Sequence, residues 1–465
     1  MPGVASTNPA LPMSGPQFAS LPPDQQASYL RTLPPDSQAA LLKDVRVMAN
    51  RRFMRQSIEK YAYCPVSGGS GTSATYSSGT TLVFDLPVVG SGYAKGLLIT
   101  YNLTVTLAAG TAATYLPTMG APFNIFSELL LNYNGAQARM HPYMLKVVDA
   151  TLGFERGVQN AVIAGQSVSG INTQIGGNAN PGFQYPPTST GANTWQGKML
   201  LRLNAIDEYS SVPGMLPIMG VGNKPQLKLT CAPSFFAASP DPLLVPVGSG
   251  ATGTGQALTS VTGNINVDVI YYDGTTMNDP SGIALDLTAE PTLQYYWDTP
   301  LNPLTSGTLN RQHIATLLEH WMVVGVVLDG NSATSQVPIP FIGASGANAG
   351  VANIAQFQLS ADSVGQQNFQ SWNVSNNISI YDHYDRQRRR YGQDLDPGVI
   401  VWVDAAGHGI PDSDNRNGSL VLNMQAGGYP ATTHAYLMNS VSSANYTPRV
   451  ETFLVSMNYN GLKIA

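Results

Sequence analysis

Asn264-Ile265-Asn266-Val267-Asp268-Val269-Ile270-Tyr271-Tyr272 sets the apolar Ile265, Val267 and Val269 between the polar Asn264, Asn266 and Asp268. Successive side chains of a strand point to opposite faces, so this alternation predicts a strand with one face in a core and the other facing out. Similar Val-, Ile-, Leu-, Thr- and Tyr-rich segments flanked by turn residues precede it. They are Thr81–Leu86, Gly96–Leu107, Glu128–Tyr133, Lys198–Leu203 and Lys224–Cys231. Each reads as a strand. His141–Gly157 reads as a helix lying beside the sheets. Two insertions, Gln166–Thr194 and Ala237–Gly263, are dominated by small and polar residues and read as long exposed loops.

Turn chemistry follows at Asp273-Gly274-Thr275 and Asp279-Pro280-Ser281-Gly282, which marks a linker. A second strand set comes after it: Thr292–Trp297, His320–Leu328, Asn373–Tyr381, Gly398–Val403, Ser419–Met424 and Val450–Tyr459, with a Gly/Ala/Ser-rich loop at Asn331–Asn353. The expected organisation is an all-β chain with domains at 61–280 and 281–465, preceded by an N-terminal arm at 1–60. Length agrees, since 465 residues exceed one ordinary sandwich.

The arm has a different texture. Leu21-Pro22-Pro23-Asp24-Gln25-Gln26-Ala27 recurs as Leu33-Pro34-Pro35-Asp36-Ser37-Gln38-Ala39. Pro and Asp in a first turn followed by Gln, Ala and Leu is a helix-start signal. Two short helices are expected, the second running from Pro35 toward Lys60. Leu41, Leu42, Val45, Met48 and Ala49 give that helix an apolar stripe, and Lys43, Arg46, Arg51, Arg52, Arg55 and Lys60 give it a basic character.

Charge is sparse elsewhere. Charged residues make up 11% of the chain, and Gly and Pro number 46 and 33. With 43% apolar residues this is no disordered chain, and a helical protein of this size would carry more Lys, Glu and Arg. The net charge is −5, yet residues 1–60 hold seven of the 23 Lys and Arg against four of the 28 Asp and Glu. That +3 against −8 for the remainder suggests a local anionic partner for the arm. Two cysteines, Cys64 and Cys231, make no disulfide framework, and two reduced thiols are the simpler reading. No signal peptide or membrane span is expected.

The layout of basic helical arm, β-sandwich, linker and second β-sandwich resembles the double jelly-roll major capsid proteins of the adenovirus and tectivirus lineage. Pro122-Phe123-Asn124-Ile125-Phe126-Ser127-Glu128-Leu129-Leu130-Leu131-Asn132-Tyr133-Asn134-Gly135 carries the resemblance most, as a segment leading into a strand and hairpin. The resemblance implies two tandem eight-stranded jelly rolls and a homotrimer whose six barrels tile as a pseudo-hexagonal capsomer. It implies a place in the virion of a tailless icosahedral virus or bacteriophage, assembled in the host cytoplasm, with neighbouring capsomers and minor capsid proteins as partners. In members enclosing a lipid vesicle it implies an arm facing that membrane. Sequence-specific nucleic acid is not among the expected partners.

Catalytic and ligand signals are weak. Gly248-Ser249-Gly250-Ala251-Thr252-Gly253 spells GxGxxG, but Thr254-Gly255 stand where a phosphate-binding helix would begin. Asp382, His383 and Asp385 would place only two ligands on one strand face. Asp412–Gly418 puts Arg416 and Asn417 at the fifth and sixth positions of a calcium loop, which demands a ligand and Gly there. Gly343-Ala344-Ser345-Gly346 misses the spacing of a nucleophile elbow. No enzyme, cofactor or metal is therefore expected. Asn102, Asn373, Asn377, Asn417 and Asn445 begin glycosylation sequons, read as coincidental. The basic arm offers contact with anionic lipid or packaged nucleic acid. A second basic group, Arg386, Arg388, Arg389 and Arg390, suits the particle interior, an intersubunit contact or solvent. A shell-forming subunit is the leading reading. The alternatives are a two-domain β-sandwich binding module, such as a receptor- or carbohydrate-binding spike, and a hydrolase on a β scaffold.

Overall fold

The computed structural model describes residues 17–18, 21–42, 59–89, 92–107, 114–117, 125–133, 136–142, 144–145, 191–203, 215–218, 224–232, 244–247 and 258–273, and the backbone of ten strands between 292 and 458. The arm begins with the sequence repeat. Helix α1 spans Pro23–Thr32, with Asp24 in its first turn and Arg31 in its last. It ends because Leu33 precedes Pro34 and is held extended, at φ −93° and ψ 147°. Residues 35–42 are helical again. The two starts close in the same way. Gln26 Nε2 donates to the Leu21 carbonyl at 2.9 Å, and Gln38 Nε2 donates to the Leu33 carbonyl at 2.7 Å. Phe18 and Leu41 are buried between the two pieces, packed by Leu21, Tyr29, Leu30 and Leu33.

The first half holds β1 (Glu59–Tyr63), β2 (Ser73–Thr75), β3 (Thr81–Asp85), β4 (Gly92–Leu107), β5 (Thr114–Pro117), β6 (Phe126–Tyr133), β7 (Ala136–Met140), β8 (Gly191–Arg202), β9 (Leu216–Pro217), β10 (Gln226–Cys231), β11 (Leu244–Val247) and β12 (Leu258–Asp273). The second holds β13 (Thr292–Asp298), β14 (Leu309–Leu317), β15 (His320–Asp329), β16 (Ile354–Ala361), β17 (Gln367–Asn373), β18 (Val399–Val403), β19 (Gly418–Ala426), β20 (Thr433–His434), β21 (Val441–Ser442) and β22 (Arg449–Asn458).

Several expectations need correcting. Lys60 lies on strand β1, not on an arm helix, because Glu59–Tyr63 pairs with Asp268–Tyr272 of β12. The segment Ala237–Gly263 is not all loop. Leu244–Val247 pairs with Thr114–Pro117, and β12 starts at Leu258. A ladder tolerates Pro246 there because the two strands form a sheet of their own, and Pro is confined to such edges. The end of the expected loop Gln166–Thr194 is strand as well, since β8 begins at Gly191. Met144 and Leu145 are helical, while the rest of the expected helix after 145 lies outside the described residues, as do 166–190 of that loop, the loop at 331–353 and positions 374–381.

The wiring is the same twice. The first half contributes sheets ordered β1-β12-β4-β8 and β3-β10-β6-β7, with β2 and β9 flanking the first. The second contributes β13-β22-β15-β18 and β14-β19-β16-β17. With the short β2, β5, β9, β11, β20 and β21 set aside, eight strands remain in each half. Ranked along the chain, both halves read 1-8-3-6 in one sheet and 2-7-4-5 in the other. Every pairing is antiparallel.

The described core belongs to the first half. Leu97, Ile99, Tyr101 and Leu103 of β4 and Ile265, Val267 and Val269 of β12 are buried, as are Leu227, Leu229 and Cys231 of β10 and Leu129 and Leu131 of β6. Each spacing is two, the period that puts one strand face inward. Burial of an aliphatic side chain of this size contributes about 1.5–3 kcal/mol as an upper estimate. Gly263 of β12 sits at φ +143°, where a Cβ would collide with the Asn102 carbonyl of β4. Glycine thus lets two 16-residue strands stay paired through a distortion.

Candidate assembly surface

The face of β4 opposite the core carries Thr100, Asn102, Thr104 and Thr106. Cross-strand register builds rows from it. Asn264, Asn102 and Gln196 form one row, and Thr262, Thr104 and Thr194 the next. Gln196 Nε2 donates to Asn102 Oδ1 at 3.2 Å. Asn102, Thr194, Thr262 and Asn264 are exposed. Lys198 and Asp268 lie further along this face. Burial raises the Asp268 carboxyl above the ordinary carboxylate range, and the Lys198 ammonium opposes that shift. At the same end Leu98, Leu200 and Ile270 form a buried cluster, so the sheet is apolar on both sides there.

Strand β1 ends this sheet. Tyr61 and Tyr63 project from it, 53% and 66% exposed, and Tyr61 donates its hydroxyl proton to Glu59 Oε1 at 2.6 Å. Glu59 also accepts from Lys95 Nζ at 2.8 Å, and the Lys95 side chain is only 4% exposed. Lys60 Nζ reaches Asp273 Oδ2 at 3.0 Å. The first residues of the barrel are thereby clasped to its last. At another edge, β7 of the first half runs beside β13 of the second with Cα atoms within 8 Å.

Eight strands in two facing sheets, wired 1-8-3-6 and 2-7-4-5, make a jelly roll, and this chain contains two in tandem. The fold is a double jelly roll. One solved structure agrees, and two others can be set beside it. In the atomic structure of Sulfolobus turreted icosahedral virus, 92% of one chain superposes on 87% of this one, with a TM-score of 0.50 and 11% identity. The crystal structure of the STIV MCP covers 86% of this chain with 96% of its own, at TM-score 0.49 and 12% identity. A PBCV-1 virus capsid chain covers 87% with 94%, at 0.48 and 12%. At 11% identity the likeness to the first of these is one of fold. No family model and no curated protein matches the sequence.

The described part of the double jelly roll offers little reactive chemistry. Cys64 and Cys231 are free thiols, fully buried. Burial, with the nearby Asp268 charge, pushes the Cys64 thiol up to about 12, and burial raises Cys231 as well. Thiols held protonated are poor nucleophiles. The Tyr101 hydroxyl is buried without a hydrogen-bond partner, over Gly197 of β8, and desolvation pushes it well above its ordinary value. Among the described residues no three His, Cys, Asp or Glu side chains gather as a metal site, and no helix is long and apolar enough to cross a membrane.

Of the expected site residues, Lys60 is placed on β1 by the structure. Lys43, Arg46, Arg51, Arg52 and Arg55 lie outside the described residues, and so do Arg386, Arg388, Arg389 and Arg390. The same holds for Gly248–Gly253, Ser345, Asp382, His383, Asp385 and Asp412–Asn417. Of the sequons, Asn102 lies on β4 and Asn373 ends β17, while Asn377, Asn417 and Asn445 lie outside the described residues. The tyrosine edge of β1 was missed by sequence reading. Its signal was the Tyr-x-Tyr spacing at Tyr61 and Tyr63.

Proposed function

We propose that this chain is the major capsid protein of a tailless icosahedral virus, trimerising into pseudo-hexagonal capsomers that assemble into the shell of the virion. The single observation that carries the reading is the exact-order repetition of one eight-strand wiring within one chain. Two like barrels side by side give a subunit a twofold internal repeat, and three such subunits supply six like lobes around a ring. The solved structures of similar fold come from virus particles. Uncharged Thr, Asn and Gln rows on the outer sheet face suit shell contacts, because neighbours meet there without ionic repulsion.

In this reading the role is structural, not catalytic. Lys43, Arg46, Arg51, Arg52 and Arg55 face the particle interior and bind anionic lipid or the genome without sequence preference. Arg386, Arg388, Arg389 and Arg390 serve an interior or intersubunit contact, and minor capsid proteins complete the shell.

Native mass measurement and electron microscopy of the purified protein test the proposal. A stable trimer, and hexagonal tiles or shells at higher concentration, are expected. A monomer at every concentration would favour the binding-module reading instead. Deleting residues 1–58, which stops before β1, is expected to keep the trimer and to impair particle formation or vesicle attachment.

A further inference from the structure

Strand β1 is where the arm becomes barrel, and little apolar surface holds it there. None of its five residues is buried, whereas β3, β6 and β10 each bury alternating side chains. Among the described residues its ladder partner is β12 alone. Its attachment therefore falls to that ladder and to two ion pairs. Glu59 shares one strand face with Tyr61 and Tyr63, and Lys60 lies on the other. Lys60 Nζ meets Asp273 Oδ2 at 3.0 Å, diagonally across the ladder. Glu59 Oε2 meets Lys95 Nζ at 2.8 Å. Lys95 reaches it through a bulge. Ile270 pairs with Gly96 and Tyr271 with Ala94, which leaves Lys95 as the extra residue of β4. Its parity along the strand is that of the core residues Leu97, Ile99 and Tyr101, and the bulge re-aims its side chain toward Glu59.

The far end of this stretch is fastened differently. The Cys64 N–H donates to the Val267 carbonyl at 2.8 Å, which completes the ladder, and the chain then crosses to the other sheet. There the Asp85 N–H donates to the Pro65 carbonyl at 2.8 Å, the Ser67 N–H donates to the Val83 carbonyl at 2.9 Å, and Val66 bridges Phe84. We propose that Glu59–Cys64 is a strap closed by the two ion pairs, which peels from β12 as one piece when they break and stops at Pro65. Closed, it holds the root of the arm against Asp273, the last residue of β12, where the chain leaves for the second barrel. Open, it lengthens the arm by roughly 20 Å, at about 3.4 Å per residue. The clasp sits at the end where a pull on the arm arrives, so it yields before the hydrogen bonds behind it are loaded. This inference goes beyond the shell-subunit reading and depends only on how β1 is held.

The chain carries its own reporters. Cys64, at the end of the strap, and Cys231, on β10 in the other sheet, are both fully buried free thiols. Peeling bares Cys64 alone, while unfolding of the whole barrel bares both. The rate at which each thiol of the full-length protein reacts with iodoacetamide is measured by peptide mass spectrometry, in urea below the unfolding transition. Cys64 is expected to react ahead of Cys231 and with a shallower dependence on urea, because opening the strap exposes less surface than unfolding the barrel. Glu59→Gln should speed the Cys64 reaction at least about tenfold, since it leaves the Lys95 ammonium without its carboxylate. Lys60→Gln, at the more exposed pair, should speed it about threefold. Equal rates and equal urea slopes at the two thiols overturn the strap, because Cys64 is then freed only with the whole barrel. A Cys64 rate that neither substitution changes overturns the clasp as its closure.

Discussion

The two faces of the long sheet in the first barrel do different work with one backbone. Inward, β4 presents Leu97, Ile99, Tyr101 and Leu103, all buried. Outward, it presents Thr100, Asn102, Thr104 and Thr106, of which Asn102 and Thr104 are aligned with like residues on β8 and β12. The inner face needs close packing, since every methylene lost there leaves a void. The outer face needs hydrogen-bonding groups where it meets water, and along its Thr and Asn rows these carry no charge. Stability therefore resides on the inner face, and a residue's parity along the strand decides how much its replacement alters it.

Substitutions can break that division. Ile99→Ala is expected to cost about 2–5 kcal/mol in urea unfolding, while its neighbour Thr100→Ala should stay within about 0.5 kcal/mol. Equal losses at both positions would erase the distinction between the faces. Glu59→Gln removes the carboxylate from a Lys95 ammonium that has little access to water, and about 1–3 kcal/mol should be lost by the same assay. The loss should exceed that of Lys60→Gln, whose ammonium is more exposed. Tyr101→Phe deletes a buried hydroxyl with no partner, so stability should hold or rise by up to about 1 kcal/mol. A loss there would mean the hydroxyl holds a water that matters.

The smallest effect at neutral pH concerns Cys64. Its thiol ionises near 9.0 when unfolded and near 12 when folded. The unfolded chain thus releases its proton first, and the stability this group contributes is complete below 9 and is lost as pH rises toward 12. Chemical unfolding at pH 8 and pH 11 measures the difference, and an Ellman assay at pH 8 should find both thiols unreactive until denaturant is added.

Much of the inner face was legible in sequence, because Asn264–Tyr272 alternates cleanly and no local signal opposes it. Its extension back to Leu258 was hidden by Thr259, Ser260, Thr262 and Gly263, which belong to a polar outer face and a glycine distortion yet resemble a loop. Strand β1 was hidden for another reason. Glu59 and Lys60 look like the end of a charged helix, and what makes them a strand is β12, whose Asp273 lies 213 positions away. In the second barrel β14, β16 and β17 carry many Gln, Asn and Ser residues, and their partners are equally remote in sequence. Which strand stands last in each sheet could not be read from residues alone, since it is a property of topology.

The duplicated glutamine latch of the arm has a consequence for its reach. Each twelve-residue unit carries its own proline start and its own Gln-to-Leu carbonyl closure, so neither borrows its initiation from the other. Copy number can then vary as a whole-unit dial. A third unit spliced between Thr32 and Leu33 would lengthen the tether ahead of the barrel by one self-starting helix and leave both existing latches intact.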